Sequence, residues 1–566
     1  MYKKCFSQKI KDNKYKIHLW DDTGYDIIEW DNIAYIECDK DESTYRGLNG
    51  EYLKPTLNYT RNSPGVHYHD MPPYQKFLVE RYGINDTPST THREVFFDIE
   101  CEIGGALTEE YIESAPMPIT SIAWWDKQID QWYIVILDRK NQLKHTKAKN
   151  KEIIPCKTEE ELLYKFIEKF REMDPDILIG YNSDFFDIPY LFYRMCNVIG
   201  EEWAKHLSPI GKVKYKKNND YWFSPDTYVE IIGVESLDYM RLHKKYSWKD
   251  EPTYKLDAIG EKYVGVNKIE YNGSLDRLFE EDIHKFIEYN FMDVKILKLL
   301  DEKLQYIGLT KNIAHKGKHN YHEVYRNTKT QDGAISAYLL SQGIIPPPKD
   351  RNPLKKKGYA GGYLFCPKAG LYKYMFDEDL TSLYPSIIMS INIGKETYMG
   401  RIIDEDDRNN RLGLNDLQSK PSDTEITWEN PNGIRTQVQL HKLIDIIIKG
   451  NYAVSANGVV FDTSRESTLS TILSKWFDER VEYKSKMKQA YKSGDKEKGD
   501  YYYLMQYTMK ILLNSLYGAT ATGFRYGSVI LAEAITLSGQ RIIQESALCA
   551  NRHMNRVMRG ELKLEL

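Results

Sequence analysis

The sequence lacks the features that mark exported or membrane-spanning proteins. It has no apolar run of the roughly 18 residues that a membrane span needs, and its N-terminus, MYKKCFSQKIKDNKYKIHLW, has no apolar core of signal-peptide length. Its seven cysteines are scattered, odd in number and without a C-x-x-C pair, which argues against a disulfide framework or a zinc site. We therefore expect reduced thiols in a cytoplasm, that of the host cell if the protein is viral.

A large net charge is also missing. The chain has 78 Lys and Arg against 82 Asp and Glu, a net of −4, so any binding to a polyanion must come from a local basic surface. What is present is an ordinary globular composition, 41% hydrophobic and 28% charged, in 566 residues. At roughly 100–200 residues per domain, this length predicts three to five domains.

Hydrophobic periodicity divides the chain into regions. Residues 1–92 alternate polar and apolar positions and predict a strand-rich N-terminal domain. From 93 to about 306, the strand patterns EVFFDIE, ITSIAWW, QWYIVIL and DILIG alternate with the helical patterns TEEELLYKFIEKFREM and DIHKFIEYNFMDVKILKLLDEKL, which predicts an α/β domain. The proline-rich stretch GIIPPPKDRNP at 343–353 predicts a linker and a domain boundary.

The remainder contains an irregular stretch at 400–450 and two long helical patterns. The helical patterns cover about 465–491 and 499–518 and are separated by the polar reversal KSGDKEKGD, so we predict an antiparallel helical hairpin. On the second helix, Lys510, Asn514 and Tyr517 share one stripe. On the first, Arg480 and Lys484 lie four residues apart, so an anionic ligand or local carboxylates must offset their repulsion.

Carboxylates recur at spacings that favour a metal site. Asp98 and Glu100 are two apart on a predicted strand and therefore face one way, where a divalent cation would relieve their repulsion. Asp187 follows the polar turn after the strand that ends at Gly180, and Tyr289 and Asp293 share one helix face. Taken singly, these residues also fit a solvated strand face, a helix cap and a surface pair.

Taken in order, D-x-E, N-x-x-x-F-D and Y-x-x-x-D resemble the ribonuclease-H-like 3′→5′ exonuclease domain of proofreading DNA polymerases. The resemblance implies that Asp98, Glu100, Asp187 and Asp293 hold two Mg²⁺ or Mn²⁺ ions, and that Tyr289 orients the attacking water. Two such ions can activate a water and stabilise both oxygens of an in-line phosphodiester cleavage.

A second set of motifs extends this resemblance. D-x-x-S-L-Y-P-S-I from Asp379, R-x-x-x-K from Arg480, K-x-x-x-N-S-x-Y-G from Lys510 and YAGG at 359–362 resemble the palm and fingers of family B DNA polymerases. Within that family the chain is similar to the replicative polymerases of tailed bacteriophages. The resemblance covers residues 93–306 and 351–555.

The family resemblance implies a domain order and residue roles. The order is an N-terminal domain (1–92, completed by 307–350), a 3′→5′ exonuclease (93–306), the first part of an α+β palm (351–464), the fingers hairpin (465–522) and a second, incomplete part of the palm (523–566). Two metal ions would bind at Asp379 and the Leu380 carbonyl. The implied nucleotide contacts are Leu380, Ser382, Leu383, Tyr384, Arg480, Lys484, Lys510 and Asn514, and the implied DNA contacts are Tyr359, Gly361, Gly362, Tyr517 and Gly518.

The second palm carboxylate of the family, in a Y-x-D-T-D-S hairpin, has no counterpart here. No aspartate follows Asp500, and the remaining candidates, Glu533, Glu545, Glu561 and Glu565, stand in no matching motif. A split polymerase, an intein or intron, and a truncation all explain this. We favour a second polypeptide that supplies the rest of the palm and the thumb, with ELKLEL at 561–566 either adding to it as a strand or fraying.

The expected partners are primer-template and single-stranded DNA, a deoxynucleoside triphosphate, the second polypeptide and, through that polypeptide, a sliding clamp. No membrane partner is expected. Two rival interpretations remain: a stand-alone single-strand DNA exonuclease with a vestigial palm and fingers, and a non-catalytic DNA-binding module.

Overall fold

The computed structural model describes residues 1–60, 62–102, 104–215, 229–247, 249–349, 361–365, 368–371, 379–404 and 412–559. The strands are β1 Tyr2–Lys11, β2 Lys14–Asp21, β3 Gly24–Asp31, β4 Ala34–Glu37, β5 Tyr45–Gly47, β6 Tyr52–Thr56, β7 Val66–His67, β8 Glu94–Cys101, β9 Ile119–Asp126, β10 Gln131–Leu137, β11 Thr146–Ala148, β12 Lys151–Cys156, β13 Ile177–Gly180, β14 Val213–Tyr215, β15 Val229–Ile231, β16 Glu235–Asp238, β17 Ile344–Ile345, β18 Tyr398–Ile403, β19 Glu425–Glu429, β20 Arg435–Gln439, β21 Ala453–Val454 and β22 Val459–Phe461.

The helices are α1 Pro73–Tyr82, α2 Glu109–Ser114, α3 Glu159–Met173, α4 Asp187–Val198, α5 Glu201–Ala204, α6 Tyr239–Tyr246, α7 Leu256–Val264, α8 Leu275–Glu281, α9 Ile283–Leu304, α10 Tyr306–Gly317, α11 Asn327–Ser341, α12 Leu383–Ser390, α13 Leu414–Gln418, α14 Leu440–Lys449, α15 Thr468–Lys492, α16 Lys496–Thr520 and α17 Val529–Met558. The described cysteines all carry free thiols. Among the described helices, none combines the length and apolarity that crossing a bilayer requires.

The chain forms two compact units. Unit 1 comprises Met1–Asn32 and Pro73–Tyr325, and unit 2 comprises Ile33–Pro72 and Arg326–Leu566. The region 1–92, predicted as one domain, is therefore divided between the units, and so is 307–350. The described part of the predicted linker, 343–349, is no free connection, because β17 pairs with β5 in the sheet β17-β5-β6-β4-β7 of unit 2.

Unit 1 is built on a seven-stranded sheet with the order β11-β12-β10-β9-β8-β13-β16. The predicted strands are present as β8, β9, β10 and β13, and the two predicted helices as α3 and α9. Adjacent side chains of β9 point to opposite faces: Trp124 meets Phe166 of α3, whereas Trp125 lies beside Trp132 under Lys298 of α9. Since a helix covers each face, all eight residues of β9 are buried.

Unit 2 contains the predicted helical hairpin, α15 and α16. The Ser467 side chain caps α15, and the Asp495 side chain accepts a hydrogen bond from the Lys498 N–H, so that α16 begins at Lys496 rather than near residue 499. The stretch 400–450, predicted as irregular, has regular structure in its described part. There β18, β19 and β20 belong to the five-stranded sheet β20-β19-β18-β22-β21, and α14 follows β20 directly.

Candidate functional site

The acidic site of unit 1 is built from β8 and α9. Asp98 and Glu100 lie directly opposite Ala123 and Ser121 of β9, on the sheet face that α9 covers. One carboxylate oxygen from each of Asp98, Glu100 and Asp293 lies within 4.8 Å of the others. Three of the four predicted ligands are thus brought together by a strand and a helix almost 200 residues apart in sequence.

Asp187, the fourth predicted ligand, is the first residue of α4. Its Oδ1 accepts a hydrogen bond of 3.2 Å from the Ile99 N–H, so its side chain reaches the backbone between Asp98 and Glu100. Burial raises the pKa of Asp187 to about 7. Asp187 therefore lies beside the cluster of three carboxylates but does not belong to it.

The cluster is strained electrostatically. Burial raises the pKa of Glu100 to about 8, with Asp293 adding to the shift. Burial, followed by the charges of Asp293 and Glu100, raises the pKa of Asp98 well above its usual range. Without a neutralising cation, the simultaneous ionisation of these carboxyls is disfavoured, because like charges in a desolvated site repel one another.

Lys268 supplies one cation that the sequence reasoning missed. Its Nζ lies 2.5 Å from Asp293 Oδ2 and 3.3 Å from the Tyr289 hydroxyl. Lys268 lies between α7 and α8, 25 residues before Asp293, and no spacing rule connects a single lysine there to a helix face. Burial and the neighbouring Asp293 raise the pKa of Tyr289, so its phenol stays protonated and can donate a hydrogen bond.

Asn290 holds Asp98 in place. Its amide donates to Asp98 Oδ2 over 2.7 Å, and its oxygen accepts from the Ser121 hydroxyl over 2.8 Å. This residue was also missed, although an amide directly after Tyr289 within a mostly apolar helical pattern was a usable signal; the structure buries it fully.

The donor set fits a divalent cation. It consists only of carboxylate oxygens, the ligands that Mg²⁺ and Mn²⁺ prefer. Asp293 Oδ1 is buried and has no hydrogen-bond partner among the described residues. A buried acceptor of this kind costs free energy unless something binds it, and a cation shared with Asp98 and Glu100 would do so.

A second group of predicted residues gathers in unit 2. The Tyr384 ring on α12 stacks on the Tyr517 ring of α16, with centroids 4.2 Å apart and planes 24° from parallel. The Tyr517 hydroxyl lies 2.7 Å from the Thr536 hydroxyl of α17. Gly362 lies close to the hydroxyl of Tyr384: a Cβ added at Gly362 would be 3.3 Å from the Tyr384 hydroxyl oxygen. Three helices and a glycine therefore fix this tyrosine.

The remaining predicted palm residues precede or begin α12. Asp379 is exposed and Leu380 is half-buried, and Ser382 adopts a left-handed conformation (φ 53°) directly before Leu383. The Gly361 carbonyl accepts a hydrogen bond from the Gln540 amide of α17 over 2.5 Å. Tyr359 lies outside the described residues.

Three predicted cations form a cluster on the hairpin. Repulsion from Arg480 lowers the pKa of Lys484, while burial followed by the charges of Arg480 and Lys484 lowers that of Lys510. Within the described part of the chain, neither Arg480 nor Lys484 forms an ion pair, and the buried Arg480 Nε has no hydrogen-bond partner. The nearby Glu482 instead pairs with Lys486 at 2.5 Å.

Local carboxylates therefore do not offset the repulsion between Arg480 and Lys484 through ion pairs. Asn514 and Gly518 are exposed farther along α16. This arrangement leaves a cationic site that suits an anionic ligand.

Comparisons with known proteins match two regions of the chain. The family model for the exonuclease domain of DNA polymerase family B matches residues 81–259, and the model for DNA polymerase family B matches residues 326–565. The chain is 29% identical over 455 residues to the DNA-directed DNA polymerase of Escherichia phage RB69, covering 71% of this chain and 46% of that protein.

Two further relatives show the same extent of similarity. The DNA-directed DNA polymerase of Enterobacteria phage T4 is 28% identical over 453 residues, covering 71% of this chain and 47% of its own length. The DNA polymerase of Pyrococcus glycovorans is 25% identical over 492 residues, covering 84% and 53%. The chain spans about half the length of these curated relatives. The exonuclease match includes Asp98, Glu100 and Asp187 but ends before Lys268, Tyr289 and Asp293.

Proposed function

The chain belongs to DNA polymerase family B, and on this premise we propose that unit 1 is a metal-dependent 3′→5′ exonuclease acting on DNA. The observation that supports this most strongly is the meeting of carboxylate oxygens of the half-buried Asp98 and Glu100 and the buried Asp293 within 4.8 Å of one another. These three carboxylates, with Asp187 beside them, would hold Mg²⁺ or Mn²⁺. The bound ions would supply an activated water and stabilise the charge that develops on the phosphate.

The chain's own residues position the reactants in this proposal. Asn290 and Ser121 fix the orientation of Asp98, and Lys268 opposes the rise that burial causes in the pKa of Asp293. Tyr289, held protonated, donates its hydroxyl hydrogen to the attacking water or to a phosphate oxygen, and Lys268 lies close enough to share that role. No side chain acts as a nucleophile.

The exonuclease proposal is tested with a single-stranded oligonucleotide labelled at its 5′ end. We expect a ladder of shortened products in Mg²⁺, none in EDTA, and a loss of at least 100-fold in rate for Asp98→Asn, a change that removes charge but little volume. Glu160→Gln, an exposed change on α3, is the matched control. Undiminished cleavage by Asp98→Asn would exclude this site as the nuclease.

For unit 2, we propose the nucleotide-binding part of a polymerase site. Arg480, Lys484 and Lys510 would bind the triphosphate of an incoming deoxynucleotide, since a spread negative charge needs fixed cations. Tyr384, whose ring stacks on that of Tyr517, would support the deoxyribose. Asn514 and Gly518 would face the nascent base pair. Asp379 and the Leu380 carbonyl would contribute to binding two metal ions, and Gly361 and Gly362 would contact DNA.

We further propose that nucleotidyl transfer requires a second polypeptide carrying a D-T-D motif and a thumb. The support is twofold: no aspartate follows Asp500, and the second half of α17 is poorly covered among the described residues, with Ile542 39% and Leu548 48% exposed. Apolar side chains on a helix face are suited to packing against another chain. A sliding clamp would then be contacted through that second polypeptide.

This assembly is tested by mixing the chain with a polypeptide that carries the D-T-D hairpin and thumb of a phage relative, and measuring association by sedimentation. Ile542→Lys with Leu548→Lys should weaken association at least tenfold, whereas Lys488→Ala on α15 should not. Deleting 561–566 separately tests the proposed strand addition. If neither the Ile542→Lys, Leu548→Lys double variant nor the deletion of 561–566 changed the association, the proposed contact surface on this chain would be wrong.

A further inference from the structure

A groove in unit 1 lies on the same sheet face as the acidic cluster, on the opposite side of α9. The face is defined by register: Trp132 of β10 lies opposite Trp125 of β9 and beside Lys151 of β12. At roughly 100° per residue, Glu288 and Lys295 lie about 140° and 160° around α9 from Asp293 and project from the flank that faces away from it, whereas Met292 lies about 100° from it. Together with Asn150, Ile269 and Phe291, these side chains line an open groove with a volume of about 400 Å³.

The size and lining of this groove suit a small planar ligand. Cavities of roughly 300–1,000 Å³ are typical of ligand sites. Trp132 and Phe291 meet edge to face with centroids 6.0 Å apart, and Met292 and Ile269 complete the apolar wall. Trp132 is half-buried rather than covered, so part of its indole remains open to a ligand ring. Stacking on an exposed aromatic ring is how proteins commonly hold a nucleobase.

The charged residues of the groove favour an anion. Lys151 Nζ lies 4.0 Å from the centroid of the Phe291 ring, and burial lowers the pKa of this lysine. Within the described part of the chain, neither Lys151 nor Lys295 forms a hydrogen bond or an ion pair through its side chain. Glu288 stands at the rim and partly offsets them. Two cations against one carboxylate suit a single phosphate better than a triphosphate.

From this combination we propose that the groove binds one nucleotide unit, a planar base with a single phosphate. The base lies against Trp132 and Met292, the phosphate lies between Lys151 and Lys295, and Asn150 offers a polar edge for the base. The ligand is either a free deoxynucleoside monophosphate or one residue of a single strand. The site is separate from the acidic cluster and contributes no ligand to it.

The segment Lys268–Ile269 lies between the two sites. Lys268 contacts Tyr289 and Asp293 on one flank of α9, and the next residue, Ile269, lines the groove on the other. The two sites can thus be tested separately, because no side chain is shared between them. An exonuclease assay on each groove variant reports whether the acidic site is intact.

The proposal is tested by titrating dTMP into the full chain in EDTA by isothermal calorimetry. In EDTA the acidic site holds no metal ion that could bind a phosphate, so binding there is suppressed. We expect saturable binding that weakens at least tenfold in Lys151→Ala with Lys295→Ala and changes less than twofold in Lys165→Ala, an exposed lysine of α3 outside the groove. Glu288→Gln should tighten binding by a few-fold.

Further titrations distinguish a free mononucleotide from a residue of a strand, and recognition of the base from recognition of the phosphate. Competition by oligo(dT) that is stronger than that by dTMP identifies a residue of a strand, and the absence of competition identifies the free mononucleotide. Inorganic phosphate or thymidine binding as well as dTMP would overturn the two-part recognition. Equal dTMP binding by the wild type and the double-lysine variant, with Mg²⁺-dependent exonuclease intact in both, would overturn the site itself. Lys295→Ala alone, at an exposed position, repeats the test if the double variant does not fold.

Discussion

At the scale of single residues, the acidic site of unit 1 consists of carboxylates that repel one another and of neighbouring groups that offset part of this repulsion. Asp98 and Glu100 are placed side by side by strand geometry, and Asp293 is aimed at them by a helix. Lys268 and Asn290 then offset part of the cost through an ion pair and a hydrogen bond. Since burial raises the pKa of Glu100 to about 8, the metal-free site is less stable when its acids ionise.

The pH dependence of stability tests this directly. Glu100 has a raised pKa in the folded state, so the folded protein binds more protons than the unfolded chain between the unfolded pKa of roughly 4.3 and the folded value. In EDTA, stability should therefore fall as pH rises from about 5 to 8. Glu100→Gln should raise the free energy of unfolding at pH 8 by about 1–3 kcal/mol and flatten this decline while abolishing the exonuclease. Urea unfolding at pH 5 and pH 8 measures it, with Glu160→Gln as control.

Lys268 provides a second residue-scale prediction. Its charge lowers the pKa of Asp293 against the effect of burial. Lys268→Met should therefore raise the pKa of Asp293 and move the acidic limb of the exonuclease pH–rate profile to higher pH, with a lower rate at neutral pH. Lys262→Met, which removes an ion pair to Glu251 elsewhere in unit 1, should leave the profile in place. An unmoved acidic limb in Lys268→Met would show that this lysine does not set the charge of the cluster.

At the scale of elements, sequence periodicity was informative wherever an element was long or fully buried. The strands β8, β9, β10 and β13 and the helices α3, α9, α15 and α16 were predicted with small errors at their ends. The short strands of residues 398–461 were missed because two to six residues carry too little periodic signal. Lys268 was missed for another reason, since its contact with Asp293 depends on how a loop crosses α9.

The hairpin of α15 and α16 gives a prediction at this scale. Its cation cluster should bind a triphosphate without any completed polymerase site, because the charges are already gathered on two helices. Addition of dTTP with Mg²⁺ should raise the thermal midpoint of the chain, and Arg480→Met or Lys510→Met should weaken the apparent affinity about tenfold, equivalent to roughly 1.4 kcal/mol. Lys492→Met, at the exposed end of α15, is the control. Equal protection of all four proteins would place the triphosphate elsewhere.

At the scale of the whole molecule, each of the two compact units combines two segments that are separated in sequence. Residues 33–72 leave the N-terminal region to join unit 2, where Asp70 pairs with Arg525 at 2.6 Å. Asp332 of α11 pairs with the same guanidinium at 2.8 Å. Hydrophobic pattern marks the elements involved, but pairing between segments hundreds of residues apart depends on tertiary contacts that periodicity does not encode.

The fully buried Arg525 should therefore hold three separate segments of unit 2 together. Arg525→Met leaves the mostly buried Asp70 without this ion pair and Asp332 with only Lys349, which lies 3.1 Å from its carboxylate, so we expect a loss of about 3–5 kcal/mol in the free energy of unfolding of unit 2. Adding Asp332→Leu should recover part of that loss, because it removes a buried charge that Lys349 alone would then offset. Arg541→Met, which breaks the half-exposed pair with Asp416, should cost less than about 1 kcal/mol. A single-mutant cost as small as that of Arg541→Met would contradict this role.

We propose that these 566 residues carry an exonuclease site and part of a polymerase site. This proposal is tested most directly by incubating the purified chain with a 5′-labelled primer–template, Mg²⁺ and all four deoxynucleoside triphosphates, and reading the product lengths. For the chain alone, we expect the primer to be shortened from its 3′ end and not extended. Once a polypeptide carrying the D-T-D hairpin and thumb is added, we expect extension. Extension by the chain alone would contradict the proposal, because Asp379 would then have found a carboxylate partner among the glutamates of this sequence.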